Sequence, residues 1–116
     1  MAQRKDFVLD EGATFEKTVI IKYDGSPFDL TNYSARLQVR ERHYDETPVI
    51  SLTVGSGLTI TEPPTLGLIE IEIAPSDLED LGFTQGEYHL EIFTSGDGVV
   101  YRILEGYMTV SQELTK

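Results

Sequence analysis

The chain has 116 residues and carries 20 Asp and Glu against 9 Lys and Arg, a formal net charge of −11. One small domain fits that length, and a hydrophobic share of 40% supplies its core. The charge argues against nucleic-acid phosphates and anionic membranes as partners, and the absence of cysteine excludes thiol chemistry, disulfide scaffolds and cysteine-based zinc sites.

Apolar and polar residues alternate with a period of two along most of the chain, which predicts an all-β fold. The first long strand covers 14–23, with Phe15, Val19, Ile21 and Tyr23 on one parity and Glu16, Thr18 and Lys22 on the other. Asp24-Gly25-Ser26-Pro27 closes it, because glycine tolerates positive φ and proline cannot donate to a ladder. Residues 34–40 alternate more cleanly, with Ala35, Leu37 and Val39 against Arg36, Gln38 and Arg40, so one face is buried and the other basic. A charged loop over 41–48 precedes a strand over 49–54, Gly55-Ser56-Gly57 turns, and a short strand starts at Leu58. Glu62-Pro63-Pro64-Thr65 breaks it, and residues 68–73 then set Ile69, Ile71 and Ile73 against Glu70 and Glu72.

One helix is expected, at 75–81. Ser76 and Glu79 have capping-box spacing, Leu78 and Leu81 form an apolar pair, and Gly82 supplies the stop. Residues 86–94 alternate Tyr88, Leu90 and Ile92 with Glu87, His89 and Glu91, and Ser95-Gly96-Asp97-Gly98 turns into a final strand over 99–110. That strand changes phase, with Tyr101 and Ile103 on one parity and Met108 and Val110 on the other, and a β-bulge at Gly106 reconciles the two. Seven to eight strands at this turn spacing predict an antiparallel β-sandwich over 6–113 with one short helix, flanked by flexible ends at 1–5 and 114–116. No apolar run approaches the roughly 20 residues that span a bilayer, and no signal-peptide core follows the basic N-terminus.

Catalytic groups are sparse. His43 lies in the charged loop and His89 on an outward strand parity, and no Gly-x-Ser-x-Gly elbow or phosphate-cradling glycine loop occurs. Glu70 and Glu72 at i, i+2 suit a hydrolytic acid and base in spacing, but an outward acidic strand face accounts for them. Glu62, Asp77, Glu79 and Asp80 are carboxylates that loop ends could gather around a calcium ion. No cofactor or metal is otherwise expected, and the chain reads as no enzyme.

A more specific signal is the run Asp24-Gly25-Ser26-Pro27-Phe28-Asp29-Leu30-Thr31-Asn32-Tyr33-Ser34-Ala35-Arg36-Leu37-Gln38-Val39-Arg40. It resembles a signature of tailed-bacteriophage proteins typified by the N-terminal domain of the phage baseplate upper protein. Later segments agree: Gly57-Leu58-Thr59-Ile60, Gly67-Leu68-Ile69-Glu70-Ile71, Pro75-Ser76-Asp77-Leu78, Gly86-Glu87-Tyr88-His89-Leu90-Glu91-Ile92 and Leu104-Glu105-Gly106-Tyr107-Met108. Within it, Asp29 is placed to bond backbone two residues on, and Tyr33 and Tyr88 offer rings whose hydroxyls can tie a loop.

The resemblance implies an immunoglobulin-like β-sandwich that is a non-enzymatic virion component, made in the host bacterial cytoplasm and present in several copies or as a homo-oligomer. Its expected partners are other virion proteins of the tail, baseplate, neck or capsid. A docking domain of the tail or baseplate is the first reading, capsid decoration the second. A carbohydrate-binding sandwich, with Tyr44, Phe93 and Tyr101 stacking on sugar rings, is the alternative from another class. Residues 1–58 carry a net −2 and residues 59–116 a net −9, so the acidity lies in the second half. Glu70, Glu72, Glu87 and Glu91, on outward parities of their strands, are the expected partner interface.

Overall fold

Alternating segments with branched apolar residues on one parity bury that parity and leave the other wet, and this organises nearly all of the chain. The computed structural model describes residues 3–10, 12–42, 46–78 and 85–111. Its strands are β1 (Gln3–Arg4), β2 (Phe7–Asp10), β3 (Phe15–Ile20), β4 (Lys22–Tyr23), β5 (Ser26–Pro27), β6 (Ser34–Arg40), β7 (Ile50–Val54), β8 (Gly57–Ile60), β9 (Leu68–Ile73), β10 (Gln85–Phe93) and β11 (Val100–Ser111), with one helical turn, α1 (Pro75–Leu78). Eight of these strands, β2, β3 and β6 to β11, have four or more residues, in line with the seven to eight expected.

All but the β4–β5 hairpin join one sheet in the order β1-β11-β10-β6-β7-β8-β9-β3, with β2 also on β11. The sheet curls into two layers at a corner between β7 and β8. There Thr53 and Ser56 exchange backbone hydrogen bonds of 2.8 and 3.1 Å, and Gly55 N–H donates to Leu58 at 2.9 Å. Gly57 makes the corner possible: its φ is +99°, and a Cβ there would sit 2.6 Å from Leu52 Cδ2. The first layer is β1/β2, β11, β10, β6 and β7; the second is β8, β9 and β3. Their inner parities, Ala35, Leu37 and Val39 facing Ile69, Ile71 and Ile73 among others, form one buried cluster.

The sandwich is mixed where an antiparallel one was expected. β1 and β2 run parallel to β11, and β7 parallel to β8 across the corner. Pairing also starts at Gln3, ahead of the expected domain boundary at Asp6. The strand expected over 14–23 divides at Ile21, whose N–H donates to Gly67 at 2.7 Å and whose carbonyl accepts from Phe28 at 2.9 Å. Beyond that point the chain leaves the main sheet and turns back through Asp24 and Gly25, both at positive φ, as the β4–β5 hairpin. Of the expected 75–81 helix, α1 is the described part, while Glu79, Leu81 and Gly82 lie outside the described residues. Asp77, rather than Ser76, serves its start, accepting the Ala74 N–H at 3.1 Å.

The phase change in the last strand is resolved three residues earlier than expected. The β10–β11 register slips between Leu90↔Leu104 and Glu91↔Arg102, so Ile103 is the extra residue, and Ile103 and Leu104 are consecutively buried. Gly106 instead pairs in register with Tyr88. It serves a close approach: a Cβ there would collide with the Lys5 carbonyl oxygen. On the same carbonyl, the fully buried Tyr88 hydroxyl donates a 2.5 Å hydrogen bond, and Asp6 Oδ1 accepts the Tyr107 N–H at 2.9 Å.

Gly106→Ala should therefore cost about 2 to 3 kcal/mol, since the obstacle is backbone, and lower the urea midpoint with the m-value unchanged. Tyr88→Phe should cost about 1 to 2 kcal/mol by leaving the Lys5 carbonyl unpaired. Burial first, and the Asp6 charge second, push the Tyr88 phenol above its ordinary range. The unfolded chain then ionises first, so stability should fall as pH rises past about 10, and the fall should shrink in Tyr88→Phe. Equal alkaline loss in both proteins, in pH-dependent urea melts, would contradict this.

Candidate docking surfaces

The two outer faces of the sandwich differ in how their charges are matched. On the first layer, β6 supplies Arg36, Gln38 and Arg40 directly opposite Glu91, His89 and Glu87 of β10. Arg36 Nε lies 2.8 Å from Glu91 Oε1, and Arg36 also reaches Asp97 at 3.4 Å. Arg102 of β11 approaches Glu91 Oε2 at 3.8 Å and Glu105 at 3.5 Å. The Glu91 and Asp97 carboxylates in turn hold the Arg36 guanidinium above its usual pKa, the Glu91 hydrogen bond contributing most. His89 is pushed down by its partial burial and then by Arg102, so it is neutral near pH 7. Acid and base interlock here.

On the second layer they do not. β3 pairs with β9 so that Glu16 stands directly opposite Glu72 and Thr18 opposite Glu70, while Thr59 of β8 flanks Glu70 on the other side. Glu16, Glu70 and Glu72 are exposed and form no ion pair or hydrogen bond among the described residues. They line a shallow groove of about 320 Å³ that runs to the Gly55–Gly57 corner. Like charges directly opposite on a sheet repel, so this face carries uncompensated field.

The four glutamates expected to act together are thus split. Glu70 and Glu72 share the acidic face, while Glu87 and Glu91 lie on the opposite layer among arginines, with Glu91 ion-paired. Glu16 completes the acidic face and is missed by sequence reasoning. Its outward parity in the 14–23 segment is visible there, but its partner strand is not.

The remaining expected groups are dispersed. Glu62 and Asp77 sit beyond opposite ends of β9, so these two do not converge on one cation site; Glu79 and Asp80 lie outside the described residues. His43 and Tyr44 also lie outside them. Phe93 has the Arg36 guanidinium over its ring at 4.6 Å, and Tyr101 stacks on Tyr33 with centroids 6.4 Å apart, so neither presents two free faces to a sugar. Asp29 does form the expected Asx turn: Thr31 N–H and Oγ1 donate to Oδ1 at 2.9 and 2.5 Å and lower its pKa.

The two faces should respond oppositely to charge changes. Glu72→Lys removes the repulsion with Glu16 and should raise stability by about 0.5 kcal/mol. Glu91→Gln deprives Arg36 of its closest partner and should lower it by about 1 kcal/mol. Thermal melts at low and high salt check both signs; the same sign for both variants would show that the faces do not differ in this way.

No protein-family model matches the sequence, and no functionally curated protein does. Among solved structures, the chain is similar to the N-terminal domain of phage TP901-1 ORF48, with a TM-score of 0.58 and 10% identity over 92% of this chain and 85% of that one. At that identity the likeness establishes the fold: this curled, mixed β-sandwich is shared with a domain of a phage protein.

Proposed function

We propose that the chain is a non-catalytic structural domain of a bacteriophage tail, in its baseplate, that works by docking to neighbouring virion proteins. One observation carries the reading: the sandwich matches the N-terminal domain of a phage protein across nearly its whole length. The resemblance of the Asp24–Arg40 run to tailed-phage proteins points the same way, and in this chain that run forms an Asx turn and the buried row Ala35, Leu37 and Val39. Docking is favoured over catalysis by what the surfaces offer. The acidic face sits on the three-stranded second layer over a shallow groove, and His89, the described imidazole, is laid among charged side chains on the other.

In this reading the domain resides in the virion in multiple copies, and the Glu16, Glu70 and Glu72 face meets a basic surface on a neighbour. A fixed acidic field steers such an encounter and selects its orientation more than it adds affinity. No described helix is long and apolar enough to cross a membrane.

Quantitative peptide counting on purified particles of the encoding phage, with immunogold localisation, tests the proposal. Copies on the order of tens, labelled at the tail tip, are expected from ring-like tail assemblies. Hundreds of copies on the head would move the protein to capsid decoration, and absence from particles would overturn the reading. The double variant Glu70→Lys/Glu72→Lys should fold yet show reduced occupancy. Full occupancy would remove this face from the interface.

A further inference from the structure

The two ends of the sandwich are closed differently. At the end where β9 finishes, Leu78 of α1 is buried and covers the core. At the other end, where β3, β7, β8 and β10 finish and β6, β9 and β11 begin, the inner-facing rows are less covered. Tyr33 precedes β6, Val54 ends β7, Ile60 ends β8 and Tyr101 is the second residue of β11, and with Phe28 they form a half-exposed mouth. Phe28 packs edge-on to Tyr33 at 5.4 Å and to Tyr101 at 6.2 Å. An apolar groove of about 430 Å³ lies beside them, between Tyr33, Val54, Ile60 and Pro64.

Among the described residues, several large apolar side chains at this end are exposed: Val54 and Leu66 at 42% each and Tyr101 at 38%, with Val99 and Val100 next to Tyr101. Val54 lines the groove, Leu66 lies two residues after the lining Pro64, and the aromatic contacts join Tyr101 to Phe28 and Tyr33. An apolar area of this extent on a charged protein marks an interaction site. The rim is acidic. Glu62 lines the groove, Asp29 adjoins it through its hydrogen bonds with the lining Thr31, and Asp97 is already engaged with Arg36. Two copies meeting mouth to mouth would set these carboxylates against one another, so the rim selects against a second copy.

We infer that this mouth docks a protein segment that presents apolar side chains flanked by lysine or arginine. The apolar side chains fill the groove beside Tyr33 and cover Tyr101, while the cations face Asp29 and Glu62. The inference rests on the exposed end alone and holds whether or not the domain belongs to a tail.

Amide chemical-shift mapping on the isotope-labelled chain tests it, with a short peptide alternating leucine and lysine as the probe. Shifts should concentrate at Leu30–Tyr33, Leu58–Ile60 and Val99–Tyr101. The double variant Val54→Ser/Leu66→Ser, made at exposed positions, should melt like the wild type and bind about tenfold more weakly. Shifts centred on Glu16, Glu70 and Glu72, an equal response to a lysine–serine peptide, or no binding would overturn the inference. So would self-association in sedimentation that the double variant abolishes, since the second copy would then be the occupant.

Discussion

The carbonyl oxygen of Lys5 is where the fold is tied shut. It receives the Tyr88 hydroxyl from the middle of the first layer, and Gly106 leaves room for it by having no side chain. Lys5 N–H meanwhile donates to Glu105 at 2.9 Å, and the adjacent Asp6 carboxylate holds the Tyr107 N–H, so the chain between β1 and β2 is gripped on both sides of its bend. A buried phenol without an acceptor would be costly, which makes the position of Lys5 a condition for burying Tyr88. The aromatic packing between the layers depends on it in turn. Phe7, two residues on, lies 5.5 Å from both Tyr88 and Phe15, and so bridges the first layer to β3, the last strand of the second.

That dependence explains which parts of the fold are legible in the sequence. Strand parity is local, so Ala35, Leu37, Val39 and Ile69, Ile71, Ile73 are readable as core, and the Asp29 turn is readable because its partner is two residues away. Pairing is not local. Nothing near Ile21 announces that its backbone changes partner to Gly67 and Phe28, and nothing near Gly106 announces Lys5, about a hundred residues earlier in the chain. A glycine beside a phase change reads as a bulge, yet the bulge falls at Ile103, where two consecutive apolar side chains are both buried. The same limit applies to the interface. Glu70 and Glu72 are visible as an acidic row, but that Glu16 extends it and that Arg36 satisfies Glu91 depends on strand order.

Strand order also turns an uneven charge distribution into an asymmetric surface. Arg36 and Arg40 reach the first layer through β6, where they stand opposite acids of β10, whereas the acids of β9 stand opposite Glu16 and Thr18 of β3. The basic parity of β6 is thereby satisfied within the fold, and the acidity of β9 is left for the surroundings. One face is self-neutralised and the other keeps an unmatched acidic charge.

The sheet edges narrow how such a partner can attach. β3 ends the strand order and, among the described residues, has no strand on its other side, but Lys17 occupies its inner parity between Phe15 and Val19, opposite the buried Ile71, and still reaches water. A strand added there would trap that ammonium against the core, a known guard against edge-to-edge pairing. The opposite edge is broken by the bend at Lys5–Asp6 into strands of two and four residues, too short to template a long addition. With both edges guarded, association is directed away from open-ended strand stacking. The proposed docking surfaces, the acidic face and the apolar mouth, are instead set by side chains and therefore able to discriminate one neighbour from another.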